Sequence, residues 1–490
     1  MISKNNNKNI LIFDIFARPT SWDPLDFDQS NNIHIARMLY SPPLLVDTTG
    51  NLSSILLSEF SLSEDKTTIH FKLKEGLYYE DGSPITIEDL HFAILRMLYV
   101  RPQFPVIDAI LGKETWLKSA NPLKNSPEGL IIDGQGLTIK FSHKQRKALF
   151  RFALELFSVL PKRCFNQDTG KMICHRGPES GLYKFASDDS LTIKNQDLVF
   201  KARSKQDHLP QEVLFKYNLS DEQQTHLLES KDNVVVYTST LKRSKTDPQF
   251  QVKNVTVQLS PKARIAALML NFKHPAFKTK TQRQQFVDSY RLELKNKSGD
   301  LLSSIENSLF TELMPAYKSY EPKIEKAKIT INNNNIEVKN FFASVDKPFI
   351  ESFVSVCNKT NLNCSFEKNQ SGLIKDYDSG IVASFINKTG FWAVDVVSDL
   401  KMLFTPNLHD LLRQVWQDKE LLRLIDQAYA SEDDSTLEKN LRIVDEYIQD
   451  QALFNVVAHF QWAYISNNSH IGTNLSQAIS DPHPWHLFYD

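Results

Sequence analysis

The chain has 490 residues, 41% hydrophobic and 23% charged, with a formal net charge of −1. That length exceeds one simple core and implies two or three domains. The charge balance gives no reason to expect nucleic acid, which calls for a basic surface, and no apolar run is long enough to cross a bilayer. Met1 is followed by a polar, Asn- and Lys-rich stretch with no apolar segment of the signal-peptide kind.

In chain order, residues 9–16 (NILIFDIF) read as a buried strand, followed by a loop over 21–26 and a helix over 33–39. Pro42 and Pro43 stiffen the next turn, and 47–50 form a hairpin turn. Residues 50–98 organise the reading of the rest. After the turn Ser63-Glu64-Asp65-Lys66 comes a clean alternation: Ile69, Phe71 and Leu73 one way, His70, Lys72 and Lys74 the other. Asp81-Gly82 makes a tight turn, and Thr86 with Asp89 gives a capping-box start to a helix whose apolar face is Ile87, Leu90, Ala93, Ile94, Met97 and Leu98.

This order of turn, strand, Asp-Gly turn and capped helix resembles the signature of the family 5 extracellular solute-binding proteins, the dipeptide, oligopeptide and nickel receptors of bacterial ABC importers. Residues 63–76 and 81–89 follow its pattern nearly in register. Similar matches recur at Ser21-Trp22-Asp23-Pro24, at Glu179-Ser180-Gly181-Leu182-Tyr183, and at Pro275 to Phe286, so the resemblance runs the length of the chain, patchily in the middle. It implies an α/β fold of the periplasmic-binding-protein kind. The expected form is two-lobed, type II and the large three-domain variant, with mixed β-sheets flanked by helices and a ligand cleft between the lobes. The expected division is a discontinuous core of 1–40, 176–262 and 466–490, a smaller domain at 41–175 packed on it, and a second lobe at 263–465.

Beyond residue 98 the pattern predicts helices over 106–117 and 148–160, strands over 137–141, 190–194, 213–217 and 234–237, and a short helix over 221–229. A βα unit follows, with a strand over 266–272 and a helix carrying Phe286, Val287, Tyr290 and Leu294. Further on are a strand at 328–331, a helix at 348–357 and strands at 363–366 and 380–386. The last third is helical (409–416, 421–428, then a helix capped by Ser435 and Glu438), and 454–464 reads as one returning strand.

Four cysteines form two local pairs, Cys164 with Cys174 and Cys357 with Cys364, which suits two short disulfide loops in an oxidising compartment. Buried thiols are the alternative. A zinc site using Cys164, Cys174 and His175 lacks the usual CxxC spacing.

The main site candidate is Gly390-Phe391-Trp392-Ala393-Val394-Asp395. The resemblance implies that Trp392 lines the pocket, that Asp395 pairs with a ligand ammonium, and that nearby backbone bonds an extended peptide like an added strand. Physically, a carboxylate beside an indole suits a cation; a core Trp with an Asp capping the next segment is the plainer alternative. Phe391 departs from the family's small residue and narrows the pocket. Ser30, at the end of a loop that the family turns toward peptide, and His459 and Trp462, on the returning strand, are secondary candidates. No HExxH, GxSxG or Walker pattern occurs, so neither an enzyme, a metal nor a cofactor is expected.

The function implied is the substrate-binding component of a bacterial ABC importer, taking peptides or a related small cationic solute by hinge closure. Expected with it are a membrane permease as partner, a monomeric state, and a periplasmic or extracellular, lipid-anchored location. A degenerate surface or scaffold member of the same fold, or an intracellular ligand-sensing domain, stays open.

Overall fold

The computed structural model describes residues 8–13, 21–26, 30–187, 197–205, 209–240, 243–272, 274–297, 304–314, 316–318, 338–340, 347–360, 362, 364–366, 383–388, 396–404, 417–467, 475, 478 and 483–488. The chain divides into two compact units. Unit 1 is Met1–Val236, Asn254–Thr256 and Ser466–Asp490; unit 2 is Tyr237–Lys253 and Val257–Ile465.

In unit 1, β1 (Asn9–Phe13) is followed by α1 (Ser30–Leu39) and a small hairpin of β2 (Leu45–Val46) and β3 (Leu52–Ser53). Next come β4 (Leu57–Leu62), β5 (Thr68–Leu73), α2 (Ile87–Val100), the single-turn α3 (Lys113–Leu117), β6 (Leu130–Asp133), β7 (Gly136–Lys140) and the single-turn α4 (Ala148–Arg151). Strands β8 (Tyr183–Phe185), β9 (Leu198–Ala202) and β10 (Glu212–Tyr217), α5 (Asp221–Leu228) and β11 (Asn233–Ser239) complete the run. β1 is parallel to β10, while β10–β9 and β9–β8 are antiparallel, so the sheet is mixed. Four of the five β1 residues are buried, as expected of a strand covered on both faces.

A second sheet of unit 1 runs β4-β5-β7-β6, antiparallel throughout. Its strand β5 has the expected alternation: Ile69, Phe71 and Leu73 are buried, His70 and Lys72 exposed. α2 lies against β6 and β7 and begins with the predicted capping box. The Asp89 carboxylate accepts from Thr86 N and Thr86 Oγ1, both at 3.0 Å, and its other oxygen accepts from Lys162 N at 2.7 Å. Asp89 is 6% exposed, so these donors stand in for water. Gly181 marks a close approach: its N–H donates to Leu39 O at 2.8 Å, and a Cβ there would lie 2.7 Å from Met38 O.

Two expected helices are much shorter. Over 106–117 only α3 forms, because Val106 and Gly112 take left-handed φ of 71° and 78° and interrupt the helical path. Over 148–160 the chain makes α4 and a 3-10 turn, Glu155–Phe157. Tertiary partners replace helical ones there: Leu44 N donates to Phe152 O at 3.1 Å, Val159 N donates to Ser41 O at 2.9 Å, and Arg37 Nε meets Glu155 at 2.5 Å. The predicted strand over 190–194 lies outside the described residues.

Cys164 and Cys174 are joined by a disulfide with Cα atoms 5.0 Å apart. That separation is ordinary for such bonds. Cys357 is also disulfide-bonded, and no free cysteine occurs among the described residues.

Unit 2 contains the single-turn α6 (Pro248–Gln251), then β12 (Thr256–Leu259), β13 (Arg264–Leu270), α7 (Lys280–Lys297), β14 (Val338–Asn340), α8 (Lys347–Lys359), β15 (Cys364–Phe366) and β16 (Ala383–Lys388). α9 (Val396–Phe404), α10 (Lys419–Tyr429), α11 (Asp434–Gln451), β17 (Asn455–Phe460) and β18 (Trp462–Ser466) follow. β13 is the middle strand of the order β16-β13-β17, antiparallel to both neighbours. Its alternate residues enter different cores. Ala266, Leu268 and Leu270 pack with Phe286, Tyr290 and Phe353 of α7 and α8, while Ile265 and Ala267 pack with Leu400, Leu421 and Val444 of α9, α10 and α11. Hence its apolar run is continuous rather than alternating. α11 is capped by Asp433, which accepts from Thr436 N at 2.8 Å, not by the expected Ser435–Glu438 box. The predicted strand at 328–331 and helix at 409–416 lie outside the described residues.

The predicted strand 454–464 is two strands. β17 belongs to the sheet of β13, and β18 to the sheet whose order is β12-β18-β11-β1-β10-β9-β8. The chain passes between the units within β11, β12 and β18, and also at 253–254.

Asp89→Ala is expected to lower the unfolding free energy by about 2–4 kcal/mol, because it strands a buried Lys162 N–H as well as removing the cap; urea unfolding measures it. Denatured, unreduced protein should show no thiol reactive to a colorimetric disulfide reagent, and four after reduction.

Candidate functional site

Of the sequence-predicted site residues, Phe391, Trp392 and Asp395 lie outside the described residues, and for Ser30 the described part is the backbone at the start of α1. His459 and Trp462 are both described, on β17 and β18, and they serve different ends.

Trp462 is the first residue of β18, immediately after Gln461, where the chain leaves one sheet for another. The switch is pinned by four hydrogen bonds: Thr240 N to Gln461 O at 2.9 Å, Gln461 N to Thr240 Oγ1 at 3.0 Å, Ser260 N to Trp462 O at 2.9 Å and Trp462 N to Ser260 Oγ at 3.0 Å. With its backbone so held, the indole stacks on Tyr237, centroids 4.3 Å apart and planes at 23°. The Arg264 guanidinium lies 5.0 Å from the indole centroid, in cation–π range, and Tyr237 meets Tyr464 at 5.1 Å. Trp462 itself is part-exposed, yet its Nε1–H is buried without a hydrogen-bond partner among the described residues. An unmet buried donor costs about 1–3 kcal/mol, which an acceptor from a ligand or solvent offsets.

His459 is 2% exposed. Its backbone pairs with Ser304, N to O at 2.9 Å and O to N at 3.0 Å, and its Nε2 lies 2.8 Å from Ser308 O. A carbonyl only accepts, so Nε2 carries the proton. Burial depresses the imidazole to about 4, so it is neutral at physiological pH. Tyr317 lies beside the ring at 6.0 Å. The segment that His459 grips is fixed from its other side by Asp445, which accepts from Ser308 Oγ at 2.8 Å and from Leu309 N at 3.0 Å. Within this segment Asn307 Oδ1 and Thr311 Oγ1 are buried and unpartnered among the described residues. The geometry makes His459 a strut beneath the segment around Ser308.

Sequence reasoning missed Tyr237, Arg264 and the 304–311 segment. An Arg opening an apolar strand, as in Arg264-Ile265-Ala266-Ala267, was the one available signal. No group of three or more His, Cys, Asp or Glu placed to hold a metal occurs among the described residues, and no described helix is long and apolar enough to cross a membrane.

Residues 51–286 match the family model of the bacterial extracellular solute-binding proteins, family 5 Middle. Among solved structures, the chain is similar to the ABC transporter-associated periplasmic binding protein DppA from Helicobacter pylori in complex with the peptide STSA (TM-score 0.77, 14% identity, 99% of this chain and 98% of that one). It is similar to the murein tripeptide binding protein MppA of Escherichia coli (TM-score 0.77, 13% identity, 98% of each chain). It is also similar to NikA from Staphylococcus aureus in complex with Ni(L-His)2 (TM-score 0.71, 12% identity, 97% and 98%). At such identities the likeness to these structures is one of fold.

Lowering the pH tests the neutral strut. The unfolded chain takes up this proton near pH 6.5, the folded one near 4, so stability is full above 6.5 and falls as the pH drops toward 4. Wild type should therefore lose on the order of 3 kcal/mol more than His459→Gln across that window, read from urea midpoints.

Proposed function

We propose that this chain, which its residues 51–286 place among the bacterial extracellular solute-binding proteins of family 5, is the substrate-binding component of an ABC importer that takes peptides or a related small cationic solute. The observation that carries this reading is the Trp462 platform: a part-exposed indole, braced by Tyr237 and Arg264, with an N–H that has no acceptor among the described residues. An indole face accepts an apolar or cationic side chain, and the N–H fits a peptide carbonyl or carboxylate.

In this reading Trp392 is a second aromatic wall, Asp395 pairs with the ligand ammonium, Phe391 narrows the pocket and Ser30 contacts the peptide backbone. His459 supports the wall from behind. Capture proceeds by hinge closure, a transition known for periplasmic binding proteins. The protein acts as a monomer in the periplasm or outside the cell, held by a lipid anchor, delivers its ligand to a permease and transforms nothing. The Cys164–Cys174 bridge supports an oxidising compartment.

Native mass spectrometry of the purified protein, followed by calorimetric titration with short peptides, tests the proposal. Bound peptide masses, and binding that Trp462→Ala weakens about 10- to 100-fold, are expected. Asp395→Ala should weaken binding of amine-bearing ligands by about 2–5 kcal/mol, as loss of a buried charge partner does. An empty protein that shows no thermal shift across a peptide library overturns the peptide reading and favours a scaffold.

A further inference from the structure

The Cys164–Cys174 bridge closes a loop that packs on Arg96 of α2, with Phe92 and Leu123 beside it. The Phe165 ring lies 4.4 Å from the guanidinium carbon, and Gly170 O accepts from Arg96 Nε at 2.6 Å. Gly170 takes φ +67°, and a Cβ there would lie 3.7 Å from Arg96 Cγ and 3.3 Å from Leu123. Within the loop, Asn166 Oδ1 accepts from Asp168 N at 2.9 Å and Thr169 N at 3.0 Å, and Gly170 N donates to Asn166 O at 2.8 Å. The acceptor for Arg96 is thus the product of a tight turn that the disulfide closes.

The far end of the same guanidinium, Nη2, forms an ion pair with Asp23, and both side chains are more than nine-tenths buried. Asp23 in turn shapes the segment around it. Its Oδ1 accepts from Leu25 N at 3.0 Å, its O accepts from Asp26 N at 2.9 Å, and its N–H donates to Ser21 Oγ at 3.1 Å. One turn further along, Arg101 Nη2 donates to Leu25 O at 2.6 Å. A planar guanidinium with donors in a fixed fork can hold two partners at once, where an ammonium is a point charge.

We propose that Arg96 and the Cys164–Cys174 bridge are one positioning device for residues 21–26, so that the oxidised bridge sets the segment leading into α1 for ligand. The ligand half of this inference rests on the reading of Ser30 given above; the positioning half does not. Opening the bridge returns conformational freedom to 165–173, loosens the carbonyl that fixes Arg96, and leaves a buried cation with one firm partner instead of two.

Trp22 reports on the segment, since its indole sits edge-on to Phe185 at 5.3 Å and 81°. Full-length protein labelled with 5-fluorotryptophan gives a resonance that Trp22→Phe assigns, with Trp485 as the control within the same unit. The Cys164→Ala/Cys174→Ala variant, which leaves Cys357 untouched, and Arg96→Met should both shift or broaden the Trp22 signal in the same direction. Combining them should add little to either alone, and Arg96→Lys should not restore the signal. Affinity for the peptides that wild type captures should fall about fivefold or more in each variant. An unmoved Trp22 signal in the cysteine variant, or additive effects in the combination, overturns the device. Should the cysteine variant not fold, Phe165→Leu, which keeps the bridge and removes the ring beneath Arg96, must reproduce the Arg96→Met shift or the device fails. A shifted Trp22 signal with unchanged peptide affinity overturns the ligand half alone, and a wild type that binds no peptide counts against the binding-protein reading while the Trp22 signal still decides the positioning.

Discussion

Unit 1 depends on a buried carboxylate. Asp89 accepts from Thr86 N and Thr86 Oγ1 at the start of α2 and at the same time holds Lys162 N, two residues before Cys164. A carboxylate that is 6% exposed is stable there only because donors from two segments replace its hydration. One end of α2 is thereby tied to the root of the disulfide loop, and the other end, through Arg96, to the loop's tip. The helix is a strut between two anchor points, which is why a side chain in its second half can govern a segment near the N-terminus.

Unit 2 rests on a different constraint, the two-sided burial of β13. Its odd and even residues belong to separate cores, so helices on both faces are held by one strand. That arrangement gives β17, its neighbour, a rigid seat and fixes Gln461 as the point where the chain changes sheets. Rigidity at that point fixes the orientation of Trp462, whose indole stacks on Tyr237. His459 adds to it by remaining neutral and donating to Ser308 O, which holds the segment around Ser308 without placing a charge in the core.

Local chemistry was legible wherever it sufficed. Asp81-Gly82, the Thr86–Asp89 box and the alternation through Ile69, Phe71 and Leu73 each arise from neighbours a few residues apart, and each stands where the pattern put it. The α/β class and the family resemblance followed from that same stretch. Elsewhere distant partners won. Residues 148–160 have the composition of a helix, yet Ser41, Leu44 and Arg37 claim their backbone and side chains. The cap of α11 moved to Asp433, whose side chain reaches Thr436 without competition.

The candidate site divides in the same way. The sequence determined that Trp462 lies on a strand and that Cys164 and Cys174 are a local pair suited to a disulfide, with buried thiols left open; the structure decided for the bond. Only the tertiary structure decided that Tyr237 and Arg264 flank the indole, that His459 is a neutral core donor, and that Arg96 links the disulfide loop to Asp23. The physical reason is that stacking, desolvation and ion pairing act between surfaces that come together only when sheets and helices pack, and no pattern of neighbouring residues encodes which remote surface that is.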